Sequence, residues 1–311
     1  MRYRPFGNSG QSVSALTLGL SYRDIAHGPD ACSAIIYAAL EAGINSYRLR
    51  DASPVLAEVL GNALKHVDRK LVQVSLTLGA GDGRRGTDRD FSAQGMTACI
   101  DKALHASALG WFDQVFLDQP GTDELPQSSL NALKAMRATQ RVRLLGISGD
   151  GEVMDTYVST GAFDVLVTPV HVNSPWQVRS RLRAAREQDM TIFAYGYFPE
   201  SLDTAKKAER IAGEDAPAKR GLFGFGKPAG RAKNDPLRGA GTFAFLHRTP
   251  GWTAEDICLA YVLTDPSIAS VTIHAEDVER LEILARVPDR DLPPGLAAQI
   301  EMARVATAKA A

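Results

Sequence analysis

The chain has 311 residues, 45% of them apolar and 23% charged, a balance that excludes disorder along its whole length. Thirty-five basic residues stand against 36 acidic ones, a net charge of −1, too even for a protein that binds nucleic acid or an anionic membrane surface through a basic excess. No apolar run approaches the ~18 residues that span a bilayer. Cys32, Cys99 and Cys258 are scattered over apolar helical patterns, so a reduced, cytoplasmic protein with neither disulfide nor metal site is expected.

Residues 4–14 carry the turn Gly7-Asn8-Ser9-Gly10 between extended pieces, which predicts a hairpin closing the bottom of the domain. Short β-rich runs then alternate with amphipathic stretches. The strands are expected at 16–20, 45–49, 72–76, 114–117, 142–147, 164–167, 191–195 and 270–273. The helices fall at 31–42, 55–66, 93–109, 128–138, 153–160, 175–187, 254–263 and 278–285. Eight such units predict one domain over 1–311: an α/β fold, a (β/α)8 TIM barrel with an N-terminal β-hairpin and a long loop after strand 7. Strands this apolar suit a parallel sheet covered by helices. A doubly wound sheet would call for a Gly-rich turn after the first strand, and none is there.

The long loop, 198–242, contains Gly221-Leu222-Phe223-Gly224-Phe225-Gly226-Lys227-Pro228. It has a basic bias from Lys206, Lys207, Arg210, Lys219, Arg220, Lys227, Arg231, Lys233 and Arg238. A connection of this length is either a solvated insertion or a lid over the C-terminal face of the barrel. As a lid, it is expected to become ordered over a bound cofactor. The chain ends in Ala310-Ala311, either the end of an alanine-rich helix or a tail of the kind read by an unfoldase-protease.

Several stretches together resemble the aldo-keto reductase family. They are Tyr3-Arg4-Pro5-Phe6-Gly7-Asn8-Ser9-Gly10 with Val13-Ser14-Ala15-Leu16, Ala39 to Asn45 with Ala57-Glu58-Val59-Leu60-Gly61, Arg143 to Ser148, Ala260 to Pro266, and Glu279-Arg280-Leu281-Glu282. The resemblance implies a barrel that binds an extended nicotinamide dinucleotide at its mouth. It also implies four catalytic side chains: a proton-donating tyrosine, a lysine and an aspartate that lower its pKa, and a histidine that orients the carbonyl. At the positions that match, this chain has Arg48 for the aspartate, Ser53 for the tyrosine, Leu78 for the lysine and Asp118 for the histidine. A general acid contributes about 10²–10⁴ in rate, and serine is far too weak an acid to replace a tuned tyrosine. No catalytic tetrad is therefore assigned, and loss of the reductase reaction is expected. Arg48 and Asp118 are read first as an ion pair plugging the mouth, and second as a new anion-binding or acid site.

The resemblance implies more for cofactor binding. Tyr195 matches the tyrosine that stacks on the nicotinamide ring, and Ser148 the serine that contacts the carboxamide, although the usual asparagine beside it is Gly149. Arg280 matches an arginine of the adenosine-phosphate site, and His274 and Gly19 are counted with these as cofactor-binding. Val167, Val170 and Leu284 replace polar residues of the pattern. Glu276 and Asp277 sit near the place of a 2′-phosphate, so NAD(H) is expected to be preferred over NADP(H).

A barrel that keeps a partial cofactor site and loses its tetrad resembles, within the family, a cell-division regulator. That implies a pseudoenzyme responsive to NAD(H), with the division protein FtsZ and the histidine kinase DivJ as protein partners. The rival expectation is an active NAD(P)H-dependent oxidoreductase in which Asp118 or Asp51 supplies the proton.

Overall fold

Strands buried on both faces lose their open edges altogether when the sheet closes on itself. In the computed structural model, which describes residues 1–7, 9–26, 28–79, 89–203 and 241–310, they do so. The hairpin comprises β1 (Tyr3–Pro5) and β2 (Ser12–Ser14), antiparallel with Tyr3 opposite Ser14. The parallel barrel is formed by β3 (Leu16–Leu20), β4 (Ser46–Leu49), β5 (Gln73–Leu78), β6 (Phe112–Asp118), β7 (Val142–Ser148), β8 (Val165–Pro169), β9 (Thr191–Tyr195) and β10 (Ile268–Ile273). Neighbours in sequence are neighbours in the ring, and β10 closes it by pairing with both β9 and β3.

The outer layer contains α1 (Pro29–Glu41), α2 (Pro54–Leu64), α3 (Ala93–Ser107), α4 (Gln127–Ala138), α5 (Glu152–Ser159), α6 (Trp176–Glu187), α7 (Ala254–Val262), α8 (Val278–Ala285) and α9 (Leu296–Ala310). The barrel expected from periodicity is present, with boundaries moved by one or two residues. The helix at Leu296–Ala310 is the alanine-rich helix offered as one reading of the chain's end, although it was not counted among the eight units, because its apolar stripe is weak. The predicted lid falls almost wholly at 204–240, outside the described residues. Among those described, no helix is long and apolar enough to cross a membrane.

Several helices begin where the site must be, and each start has a chemical reason. Ser53 caps α2, its hydroxyl accepting from the Leu56 amide, and Pro54 occupies the first turn, where no amide hydrogen is required. Thr253 and Asp256 form a reciprocal capping box at α7. Asp277 caps α8 by accepting from the Arg280 amide at 2.7 Å.

The apolar core has two parts. The larger fills the layer between strands and helices. The smaller lies inside the ring, where Phe6 and Val13 of the hairpin region pack with Phe116, Val165, Val167, Phe193 and Ala269. Phe6 meets Phe193 edge-on at 6.0 Å. The hairpin therefore seals one end, and Arg4 secures it by donating to the carbonyls of Leu263, Asp265 and Ile268. What remains open is the C-terminal end of the strands, where the loops of such barrels build sites.

Candidate functional site

A cavity of about 930 Å³ occupies that open end. Side chains alternate across a strand, so the residues that reach it come from every second position. These are Arg48 and Arg50 on and after β4, Thr77 on β5, Asp118 on β6, Ser148 on β7, Tyr195 on β9 and Thr272 on β10. Tyr197, Glu255, His274, Glu276, Asp277 and Arg280 extend it to one side.

Arg48 is at the centre of the floor. It is 6% exposed, in register with Ser75 of β5, with Gly19 on its other flank. Its Nε donates to Thr77 Oγ1 at 3.0 Å and its Nη2 to Ser148 Oγ at 3.0 Å. Its guanidinium lies 5.0 Å from the Phe116 ring centre and 6.0 Å from that of Tyr195. Burial pushes its pKa down to about 10 and Arg50 adds to this, while Asp118 opposes it. The charge is retained at neutral pH.

The ion pair expected between Arg48 and Asp118 is absent. No carboxylate among the described residues comes within 4.0 Å of Arg48, because its fork is directed to the two hydroxyls instead. Asp118 lines the same cavity, half-buried, and its carboxylate accepts no hydrogen bond from a described residue. Its backbone carbonyl accepts from Arg89 at 3.0 Å.

Two of the four matched positions lie elsewhere. Ser53 is occupied in capping α2 and does not line the cavity. Leu78 is 2% exposed in the layer between strands and helices, so the inward-facing residue at the end of β5 is Thr77. Asp51 is likewise committed: its carboxylate accepts from the amides of Tyr22 at 2.6 Å and Ser53 at 3.1 Å.

Of the residues read as cofactor-binding, Tyr195, Ser148, Arg280 and His274 line the cavity. The loop after Ser148 is held by Arg181 of α6, 3% exposed, which bonds Asp150, Asp155 Oδ1 at 2.5 Å, the Gly151 carbonyl at 3.1 Å and Thr168 on β8 at 3.1 Å. Gly149 takes φ +150, and a Cβ there would lie 2.6 Å from Gln119 Cγ, so the asparagine of the family pattern would displace Gln119.

Arg280 is not a free cation. It forms a salt bridge with Glu255, whose other oxygen accepts from the Tyr197 hydroxyl at 2.8 Å. His274 is also engaged, with Nε2 3.1 Å from Asp24 Oδ1 and Nδ1 3.2 Å from the Gly19 carbonyl. Gly19 itself is a place of close approach: a Cβ would fall 2.8 Å from Thr272 Cγ2. His171 is a rim residue, its Nδ1 accepting from the Asn173 amide at 3.2 Å.

Sequence reasoning missed Arg50, Gln119, Tyr197, Glu255 and Arg181. Arg50 was within reach, since it comes two residues after Arg48 and so shares its side of the strand.

The residues present fit a dinucleotide unevenly. Tyr195 offers a ring face and Ser148 a hydroxyl that still has its proton to give, so the end near Arg48 suits a nicotinamide. The cavity as a whole sets six carboxylates against three guanidinium groups, counted over the described lining residues. An added 2′-phosphate would meet Glu276 and Asp277.

The Aldo/keto reductase family model matches residues 23–304. The chain is 24% identical over 293 residues to L-galactose dehydrogenase of Arabidopsis thaliana, an alignment that covers 90% of this chain and 85% of that protein. Among solved structures it is similar to the holo form of aldo-keto reductase AKR11C1 from Bacillus halodurans. There the TM-score is 0.74 with 16% identity, over 97% of this chain and 96% of that one, a likeness of fold.

Proposed function

The chain belongs to the aldo/keto reductase family, and from that premise we propose that it is a regulatory member that binds a nicotinamide dinucleotide and has lost the reductase reaction. The observation that carries this reading is the set of side chains facing the mouth. Where the family chemistry needs an acid with a tuner beside it, the floor holds Arg48 bonded to two neutral hydroxyls. No lysine is among the described residues lining the cavity, and its two tyrosines are Tyr195 and Tyr197. Burial raises the pKa of both phenols, which is the reverse of what a proton donor to a carbonyl requires.

Tyr195 would take the nicotinamide ring on its face, Ser148 the carboxamide, and Arg280, with His274 and Gly19 nearby, the adenosine side. Glu276 and Asp277 favour NAD(H) over NADP(H) by simple repulsion of the extra phosphate. When bound, the dinucleotide supplies a redox state for a partner to read. Within the family the pattern resembles that of KidO, the alphaproteobacterial cell-division regulator. The features that carry the likeness are the replaced tetrad positions, Tyr195 and the basic 198–242 segment. On that likeness the partners are FtsZ and DivJ, and the setting is cytoplasmic.

One observation favours a second reading, an active oxidoreductase. Asp118 stands in the cavity with its carboxylate uncommitted among the described residues. A fluorescence titration with NADH, run beside a turnover panel of aldehydes and ketones with NADH and NADPH, separates the two. Saturable binding without turnover is the expected result. Robust carbonyl reduction that disappears in Asp118→Asn would overturn the regulatory reading.

A further inference from the structure

A buried cation without a counter-ion is costly, because removing the charge from water is offset only by good partners. Arg48 comes close to this, since no described carboxylate contacts it and Asp118 acts on it only from a distance. Its partners are the hydroxyls of Thr77 and Ser148 and the faces of Phe116 and Tyr195, none of which carries a negative charge. Of its five N–H groups, two are used. Nη1 bonds no described protein atom and is not sealed from solvent, so it opens on the cavity that Arg48 lines. Three free N–H groups on a planar fork are enough for a bidentate carboxylate.

We propose that Arg48 is the anchor of a carboxylate-binding subsite at the barrel mouth, whose ligand is a small monocarboxylate bearing a hydroxyl group, with that hydroxyl donating to Asp118. This deepens the cofactor-binding reading and rests on it for one point, that a nicotinamide over Tyr195 lies beside Arg48 without covering its Nη1.

The charge arrangement selects the class. Arg48 and Arg50 supply attraction for one anionic group, whereas Asp118 stands in the same cavity and repels a second. A dicarboxylate or a phosphate dianion would bring its extra charge toward Asp118, while a hydroxyl offers that acceptor a donor. In this proposal the ligand bridges the two, a donor fork and an acceptor that line one cavity without bonding each other.

Calorimetric titration of the full-length protein with glycerate tests the proposal, with 1,2-propanediol as the neutral analogue and malate as the dicarboxylate, each with and without NADH. Glycerate should bind and propanediol should not, and malate should be weaker. Arg48→Gln should lose affinity by about tenfold or more, as expected for removal of a charge-assisted pair, and Arg48→Lys should lose part of it because the fork becomes a point charge. Circular dichroism and a melting curve establish that each variant is folded, and Arg48→Lys carries the test if Arg48→Gln does not fold.

Glycerate binding that is lost with Arg48 while NADH fails to bind the parent protein would support this subsite and remove the cofactor reading. NADH binding with no glycerate binding in any arm overturns the subsite and leaves the cofactor reading standing. Equal affinity for glycerate and propanediol, or tighter binding of malate than of glycerate, also overturns it.

Discussion

Arg48 and Asp118 share one cavity but do not touch, because the guanidinium is held by Thr77 Oγ1 and Ser148 Oγ at 3.0 Å each. A direct pair would have neutralised the mouth and filled it. Instead Arg48 and Asp118 both keep their charge at the same mouth, and the hydroxyls fix the fork without cancelling it.

Glu255 competes with any bound phosphate for Arg280, since the two already form a salt bridge. Glu255→Gln removes that competitor and keeps an acceptor for the Tyr197 hydroxyl. NADH affinity is expected to rise by about three- to tenfold, within the range for one charge at a partly exposed site. Fluorescence titration at two salt concentrations is the check, and an unchanged affinity would show that Arg280 does not serve the cofactor.

Glu276 is the better of the two acidic residues for probing cofactor preference, because Asp277 caps α8 through the Arg280 amide. Glu276→Gln should narrow the difference between NADH and NADPH without shortening the helix. Competition titrations measure this, and the effect should shrink with added salt. A preference that does not move would place the discrimination elsewhere.

At the sealed end of the barrel, Asp113 is 1% exposed and accepts from Arg69 at 2.7 Å, Arg143 at 3.1 Å, Trp111 Nε1 at 3.1 Å and the Val74 amide at 2.9 Å. Trp111 lies between the two guanidinium groups, 4.5 and 4.4 Å from its ring centre. Asp113→Ala should cost about 3–5 kcal/mol, as for other broken buried pairs. A lower urea midpoint with an unaltered slope would report this, and a loss under about 1 kcal/mol would mean that the cluster is ornamental.

Glu301 of α9 accepts from Tyr261, Arg179 and Arg304. Burial alone would raise its pKa, but these three donors outweigh that and hold it at about 2, against an ordinary 4.5. A carboxyl whose folded pKa is depressed contributes stability above the ordinary value and loses it as pH falls through the folded one. Glu301→Gln should therefore be less stable than the parent at pH 7, with the gap closing between about pH 4.5 and 2. Melting temperatures across that window test it. Tyr261, pushed up to about 12, has the opposite dependence, its contribution fading as pH rises from about 10 to 12.

The strand–helix alternation was legible because each strand is a short apolar run and each helix carries a stripe at helical spacing. Strand facing was only partly so. Ser75-Leu76-Thr77-Leu78 alternates, which sets Thr77 with Ser75 and Leu78 with Leu76, but which of the two faces turns into the ring required the closed barrel. For the same reason Leu78 was set at a position that belongs to the outer layer. The Asp113 cluster was hidden differently, since Arg69, Asp113 and Arg143 come from three separate units and meet only once β5, β6 and β7 pair side by side. The Arg48 site was half visible: a charge in a strand marked the place, but its hydroxyl partners on β5 and β7 required the register.

The pairing of β10 with β3 bears on how the chain is made. The edge of β3 waits for a partner that lies about 250 residues further on. At roughly 5–20 residues per second of synthesis, that edge stays open for about 12–50 s after it leaves the ribosome. During this interval the nascent chain is an open sheet with an unprotected side, the form most prone to adding strands from other molecules. Truncations ending before Ile268 should keep that vulnerability permanently, and the folded yield of the intact protein should respond more to chaperone supply than its stability would suggest.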